Sequence, residues 1–264
     1  MEEHMLKKFI KILKHSFAVA ACIGTVSVTA SAEAALDNTC KGYGQGREVD
    51  ENNCPVGAEM FNDEMSQYGG YAVFDDNGKI VLTFDQGYEN GYTTPILDTL
   101  KEKDVKAVFF VTGDYVKRNA DLVKRMIDEG HVIGNHGMAH ASLPKLSRDE
   151  AINEIMSLHD YVVNKFGYEM KYFRPPCGEY SEQAVALAQE LGYTTMLWSF
   201  AYQDWEVNNQ PNPTEAFERV SGAAHGGAIY LLHSVSATNA EILPQVIDCL
   251  REQGYDFCLP NINN

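Results

Sequence analysis

From about residue 71 onward, apolar residues fall in short runs separated by polar turns. Ile80-Val81-Leu82-Thr83-Phe84 is one such run, and Asp85-Gln86-Gly87 follows it at once. A short apolar run closed by a glycine turn predicts a buried strand. Asp85 then stands at the carboxyl end of that strand. Val105–Val111, His131–Gly134, Lys171–Phe173, Thr194–Trp198, Ala228–Leu232 and Tyr255–Leu259 predict further strands. Tyr71–Phe74, Asp75–Gly78 and Lys79–Leu82 predict strand, turn, strand.

Helical signals fall between these runs. Thr94 as N-cap and Pro95 at the first position open a helix to about Lys103. Asn119–Glu129 is stopped by Gly130, and Ser181–Leu191 is closed by Gly192. The capping box Ser147–Glu150 opens a helix to Phe166, with Gly167 after it. Pro213–Ala224 and Ala240–Gln253 complete the set. About seven strands alternating with about six helices predict an α/β fold with parallel strands and right-handed crossovers. A distorted (β/α) barrel fits this order, with a doubly wound sheet as the alternative. Either places the chemistry at the carboxyl ends of the strands. Residues 33–70 are rich in Gly, Asn, Glu and Asp and lack periodicity. They read as an extended N-terminal arm, part linker and part packed extension, before a domain over 71–264.

Composition changes this picture little. The chain has 264 residues, 45% hydrophobic and 22% charged, which suits one large domain with a sizeable core. The net charge of -16 argues against nucleic acid, because no basic surplus meets the phosphates. No protein partner is evident, and a monomer is expected. The N-terminus adds an address. Lys7, Lys8, Lys11 and Lys14 precede an uncharged stretch, Ser16–Ala30, and then Ala30-Ser31-Ala32. That order predicts a secretory signal over residues 1–32, with cleavage after Ala34 or Ala35 as an alternative. The apolar stretch is about 15 residues, short of the roughly 20 needed by a spanning anchor. Lipid attachment at Cys22 ranks below cleavage. Cys40/Cys54 and Cys249/Cys258 are close enough in sequence to suggest disulfides, though sequence does not fix connectivity.

The predicted strand ends carry the candidate chemistry. After Asp85 come His136 and His140, Arg174-Pro175-Pro176-Cys177-Gly178, Asp204-Trp205 and His233. Two imidazoles four positions apart can face one way on a helical turn and bind one metal. Arg174, before two prolines, is a cation on a rigid segment that can orient Asp85 and keep it ionised. Trp205 can wall a small apolar pocket. Cys177 as a thiol nucleophile is the minor alternative, with no His beside it in sequence. His4, His15, His131, His159 and His225 read as non-catalytic.

The set Thr83-Phe84-Asp85-Gln86-Gly87, His136–His140, Arg174–Gly178, Asp204-Trp205 and Leu231-Leu232-His233 resembles the five ordered motifs of the polysaccharide deacetylase (NodB-homology, carbohydrate esterase 4) family. The match spans roughly residues 71–260. The flanks Gly87–Thr93 and Asp204–Gln210 look like those of delta-lactam-biosynthetic de-N-acetylases, which remove the acetyl group of muramic acid in peptidoglycan. The resemblance implies a divalent metal, zinc with manganese or magnesium as alternatives, on His136, His140 and Gln86. It implies Asp85 as general base held by Arg174, and His233 as general acid tuned by Asp204. The Cys177 N–H would meet the oxyanion, with Trp205 and Leu231 around the acetyl methyl. Tyr88, Glu89, Asn90, Asn208 and Asn209 are candidate sugar contacts. Peptidoglycan glycan would be the partner, and the cell wall or the outer face of the membrane, the spore cortex space by resemblance, the location. Three positions depart from the wider pattern. Gln86 stands where most members have the third metal ligand, an Asp, although the delta-lactam subgroup has Asn. Gly137 replaces Ser or Thr, and Cys177 replaces Tyr or Arg. A catalytically weak glycan-binding protein, or a deacetylase of chitin, xylan or peptidoglycan N-acetylglucosamine, is the rival reading.

Overall fold

The computed structural model describes residues 36–260. The predicted signal, Cys22, His4 and His15 lie outside them.

Among the described residues eleven strands form in chain order. They are β1 (Lys41–Gly42), β2 (Gly70–Tyr71), β3 (Lys79–Gln86), β4 (Val108–Val111), β5 (Val132–Asn135) and β6 (Tyr172–Phe173), followed by β7 (Glu179–Tyr180), β8 (Thr194–Met196), β9 (Phe200–Ala201), β10 (Ile229–His233) and β11 (Asp256–Phe257). The main sheet runs β2-β8-β6-β5-β4-β3-β10-β9, with β11 added beside β3, and its paired strands are parallel. It curls without closing into a half-barrel, as the alternating pattern predicts. β3 is the hub. Its residues from Ile80 to Gln86 are buried, the continuous run expected of a parallel strand covered on both faces.

The helices are α1 (Val56–Met65), α2 (Thr93–Glu102), α3 (Gly113–Arg118), α4 (Ala120–Asp128), α5 (Arg148–Phe166), α6 (Glu182–Glu190), α7 (Pro213–Gly222) and α8 (Ala237–Glu252). The capping box on α5 forms as predicted, with Gly167 left-handed at the other end. Ser181 caps α6 through Ala184 N–H.

Several expectations are corrected. The stretch before residue 71 contains α1, whose Ala58, Phe61 and Met65 share a core cluster with Tyr180, Val185 and Leu197. Tyr71–Phe74 is not a full strand. β2 pairs with β8, while Val73 makes only an isolated bridge to Ala228. α2 begins two residues earlier than expected, so Thr94 is inside it and Tyr92 is the cap. α3 was not foreseen, because six residues are too few to show a period. The last strand is two residues long. Cys40, Cys54, Cys249 and Cys258 are all free thiols, so neither disulfide forms. Cys54 is buried with α1, whereas Cys40 is exposed beside Ser142.

Candidate active site

Strand register assembles the first pair of groups. β3 and β10 run parallel with Asp85 opposite His233. β4 continues the row with Phe110, and β5 with Gly134. A Cβ on Gly134 would lie 2.4 Å from the Phe110 ring, so only glycine lets that ring lie flat on β5. The Arg174 guanidinium stacks 4.1 Å from the centre of the same ring. Arg174 follows β6 and is fully buried. Its Nη1 donates to Asp85 Oδ1 at 2.8 Å and to Thr83 Oγ1 at 2.7 Å. Its Nε and Nη2 donate to the Met196 and Leu197 carbonyls at 3.0 Å. Burial alone would raise the Asp85 carboxyl. Arg174, His136 and His233 together outweigh burial and hold it below the usual carboxylate range.

His136 and His140 come next. The segment is not a helical turn as expected. It is a loop in which Gly137 has φ 84° and His140 φ 59°. A Cβ on Gly137 would also lie 2.5 Å from Glu154 Oε1, so Ser or Thr there would strain twice. Glu154, buried on α5, gathers the loop by accepting the Ala139 and Ala141 N–H groups at 2.8 and 3.0 Å. His136 Nδ1–H donates to the Arg174 carbonyl at 2.8 Å, which leaves the Nε2 lone pair facing the cleft. That Nε2 lies 3.2 Å from His140 Nε2 and 3.4 Å from Asp85 Oδ2. Burial lowers both imidazoles, His136 to about 4, so both are neutral near pH 7 and able to ligate.

This donor set fits a divalent cation. Two tetrahedral nitrogens at zinc–nitrogen distances of 2.0–2.1 Å stand roughly 3.3 Å apart, close to the spacing of the imidazoles. Among the described residues no trio of His, Cys, Asp or Glu has ligating geometry. Gln86 is fully buried; its Nε2 donates to Ser234 Oγ, and its Oε1 has no hydrogen-bond partner. That oxygen is orphaned, but Gln86 is not among the residues that line the cleft with Asp85, His136 and His140.

His233 is held by Asp204. Its Nδ1–H donates to Asp204 Oδ1 at 2.7 Å, and its backbone N–H to Oδ2 at 2.8 Å. Asn239 Nδ2 also donates to Oδ2, at 2.5 Å. Burial would lower His233, but the charge and hydrogen bond of Asp204 prevail and raise it above the ordinary imidazole value. The half-exposed Trp205 ring lies 5.5 Å from the His233 ring.

These groups open into a cleft of about 630 Å³, also lined by Cys177, Leu231, Trp198 and Tyr202. Cys177 is exposed and left-handed at φ 58°. Pro175 and Pro176 have no N–H, so the Cys177 N–H is the first this segment offers. Sequence reasoning missed one wall. Tyr43, Gly44 and Gln45 of the N-terminal arm line the cleft too. Tyr43 N–H donates to the Gly178 carbonyl at 2.9 Å and its hydroxyl to the Trp198 carbonyl at 2.6 Å. β1 against β7 anchors the arm there.

Tyr88, Glu89, Asn90, Asn208 and Asn209, the candidate sugar contacts, are not among the residues lining this cleft. Glu89 instead accepts from Gly91 N–H, Thr93 Oγ1 and Tyr115 OH, and Asn90 donates to the Val235 carbonyl. Both hold their loop. Asn209 bonds back to Glu206. His131, His159 and His225 have hydrogen-bond partners elsewhere, with Ala107, Tyr193 and Ser199 respectively.

Comparison with known proteins agrees with this geometry. The family model described as polysaccharide deacetylase matches residues 74–196. Peptidoglycan-N-acetylmuramic acid deacetylase PdaA of Bacillus subtilis (strain 168) is 40% identical over 239 residues, covering 89% of this chain and 90% of that protein. The solved structure of Bacillus subtilis PdaA, a family 4 carbohydrate esterase, is similar with a TM-score of 0.80 at 41% identity, covering 84% of this chain and 95% of that one. A family 4 carbohydrate esterase from Bacillus anthracis is similar with a TM-score of 0.70 at 40% identity, covering 85% and 95%. A chain so alike along most of both lengths, with a half-barrel whose strand ends bring Asp, His and Arg together, belongs to the polysaccharide deacetylase family.

Proposed function

We propose that this protein hydrolyses the N-acetyl amide of N-acetylmuramic acid in peptidoglycan, releasing acetate and a free amine. The observation that carries the reading is the pairing of a held base with a held acid across one cleft: Asp85 on Arg174, and His233 on Asp204. Likeness to PdaA over most of the chain supports the substrate.

The residues divide the work by their charge states. Asp85, kept ionised by Arg174, accepts a proton from the attacking water. The water oxygen adds to the acetyl carbon, and the carbonyl electrons move onto oxygen. The Cys177 N–H stands ready for that oxyanion, a contact worth roughly 3 kcal/mol in comparable sites. His233, kept protonated by Asp204, gives its proton to the departing nitrogen as the C–N bond breaks. Trp205 and Leu231, which line the cleft, would surround the methyl group. His136, His140 and the Gln86 oxygen would hold a divalent cation, with zinc favoured by the two nitrogen donors over manganese or magnesium. When bound, such a cation polarises the carbonyl and acidifies water.

The finer reading follows from the product. A freed amine beside the lactyl carboxyl of muramic acid can close to the delta-lactam found in spore cortex. An N-terminal signal and action outside the membrane accord with a cell-wall substrate, and no described helix is long and apolar enough to cross a membrane. Asp85→Asn and His233→Ala test the roles directly. Each is expected to reduce acetate release by about 10³-fold. His233→Ala should keep its melting temperature, whereas Asp85→Asn leaves Arg174 without its counter-charge and should melt lower, so its turnover is read well below that melting temperature. Near-wild-type turnover in either variant would overturn the assignment. The neutral amide at position 86 favours one rival, a weak enzyme that chiefly binds glycan. Bound glycan without acetate release at saturating metal would select it.

A further inference from the structure

The surface does not end at the catalytic cleft. It continues into a second hollow of about 400 Å³, and Gln45 and Ala201 line both. Ala201 pairs in register with Leu231, two residues before His233. The hollow therefore begins about 7 Å along the strand from His233. Gln45 forms the ridge between the two spaces. Its Nε2 donates to the Ala201 carbonyl at 3.2 Å, and its Oε1 accepts from Trp198 Nε1 at 2.9 Å.

The hollow has one exposed apolar side chain, Val49 at 47% exposure, and one cation, Arg219 on α7. Arg118, Arg125, Arg148, Arg174 and Arg251 each pair with a carboxylate. Among the described residues Arg219 and Arg47 have no such partner, and of these two only Arg219 lines the hollow. Its guanidinium lies 5.8 Å from the ring of Tyr202, which itself lines the catalytic cleft. Glu218, the residue before Arg219, also lines the hollow, but it leaves the helix about 100° from Arg219 and forms no ion pair with it. In a chain of net charge -16, carboxylates are plentiful. An arginine beside the cleft with none of them is placed for an anion from outside. The walls come from residues 45–55 and 199–223, all outside the stretch 74–196 that the family model matches.

We propose that this hollow is a second saccharide subsite, which takes a carboxylate-bearing sugar further along the same glycan strand, with its carboxylate on Arg219 and its ring against Val49. The occupant rests on the deacetylase reading above; the place rests on the shared lining. The test measures binding of peptide-stripped glycan strands to the full chain by calorimetry, beside acetate release. Strands with free carboxyls and strands with those carboxyls amidated are both used. Arg219→Ala is expected to weaken binding of the free-carboxyl strand about fivefold, as an exposed ion pair allows. Arg219→Lys is expected to recover most of it, and Val49→Glu to weaken it again. On amidated strands wild type and Arg219→Ala should bind alike. Equal binding of the free-carboxyl strand by wild type and Arg219→Ala, or an equal loss on both strands, overturns the subsite. Tight binding without acetate release would instead overturn the deacetylase reading, while the Arg219 comparison still decides the subsite.

Discussion

Arg174 donates four hydrogen bonds from a fully buried guanidinium, to Thr83, Asp85, Met196 and Leu197. A charge buried so deeply is tolerable only when paired, and leaving its partner alone typically costs about 3–5 kcal/mol. The same arrangement keeps Asp85 ionised, and so free to accept a proton. Asp204 does the converse for His233. Because the folded His233 sits above its unfolded value, the stability it contributes is complete below about pH 6.5 and fades as pH rises through the raised value. Asp204→Asn should lower His233, so the alkaline limb of the pH–rate profile should move to lower pH. An unmoved limb in that profile would take the acid role away from His233. At position 86 the amide oxygen is the only part of the side chain left without a partner. Gln86→Ala is expected to weaken zinc binding and Gln86→Asp to tighten it, read by calorimetry. Equal affinities would show that residue 86 is not a ligand.

At the scale of elements, a loop held from behind places the two imidazoles. Glu154 reaches from the buried face of α5 to the Ala139 and Ala141 N–H groups. Glu154→Ala should strand both donors, lower stability by roughly 2–3 kcal/mol and weaken metal binding. Glu154→Gln, which keeps an acceptor oxygen, should retain most of both. Comparable melting temperatures for all three proteins would show that the loop holds itself. Glu154 was visible in sequence as the one charge among Ala151, Ile155, Leu158 and Val162, the buried positions of α5. A charge on an apolar stripe is a usable signal, since burial without a partner would be expensive. The arm gave no such signal. Tyr43 and Gln45 sit in a polar stretch without period, and only the long-range pairing of β1 with β7 brings them to the cleft. The His136–His140 spacing suggested a helical turn, and Gly137 was the clue against it: its left-handed φ belongs to a loop.

For the whole molecule, what was legible was the alternation of strand and helix, because buried parallel strands and amphipathic helices each leave a local pattern. β3 runs two residues past its apolar run, to Gln86, and Asp85 lies in that last stretch before the turn, as the run implied. Sheet order was not legible. That β10 returns to lie beside β3 and sets His233 opposite Asp85 is a fact of topology, not of any window of sequence. Likewise β2 lies at the far end of the sheet from the strand that follows it. The acidic surface belongs to this scale too: with a net charge of -16, the cleft does not attract anionic glycan by its overall field. Binding of such a strand therefore depends on local contacts.

The most direct measurement is acetate release by the protein from peptide-stripped peptidoglycan glycan, run beside a chitin oligomer, each with chelator and with added zinc, manganese or magnesium. The account expects release from the muramic substrate, lost with chelator and restored by metal, and little from chitin. Acetate from chitin alone, or release that survives complete metal removal, would contradict it.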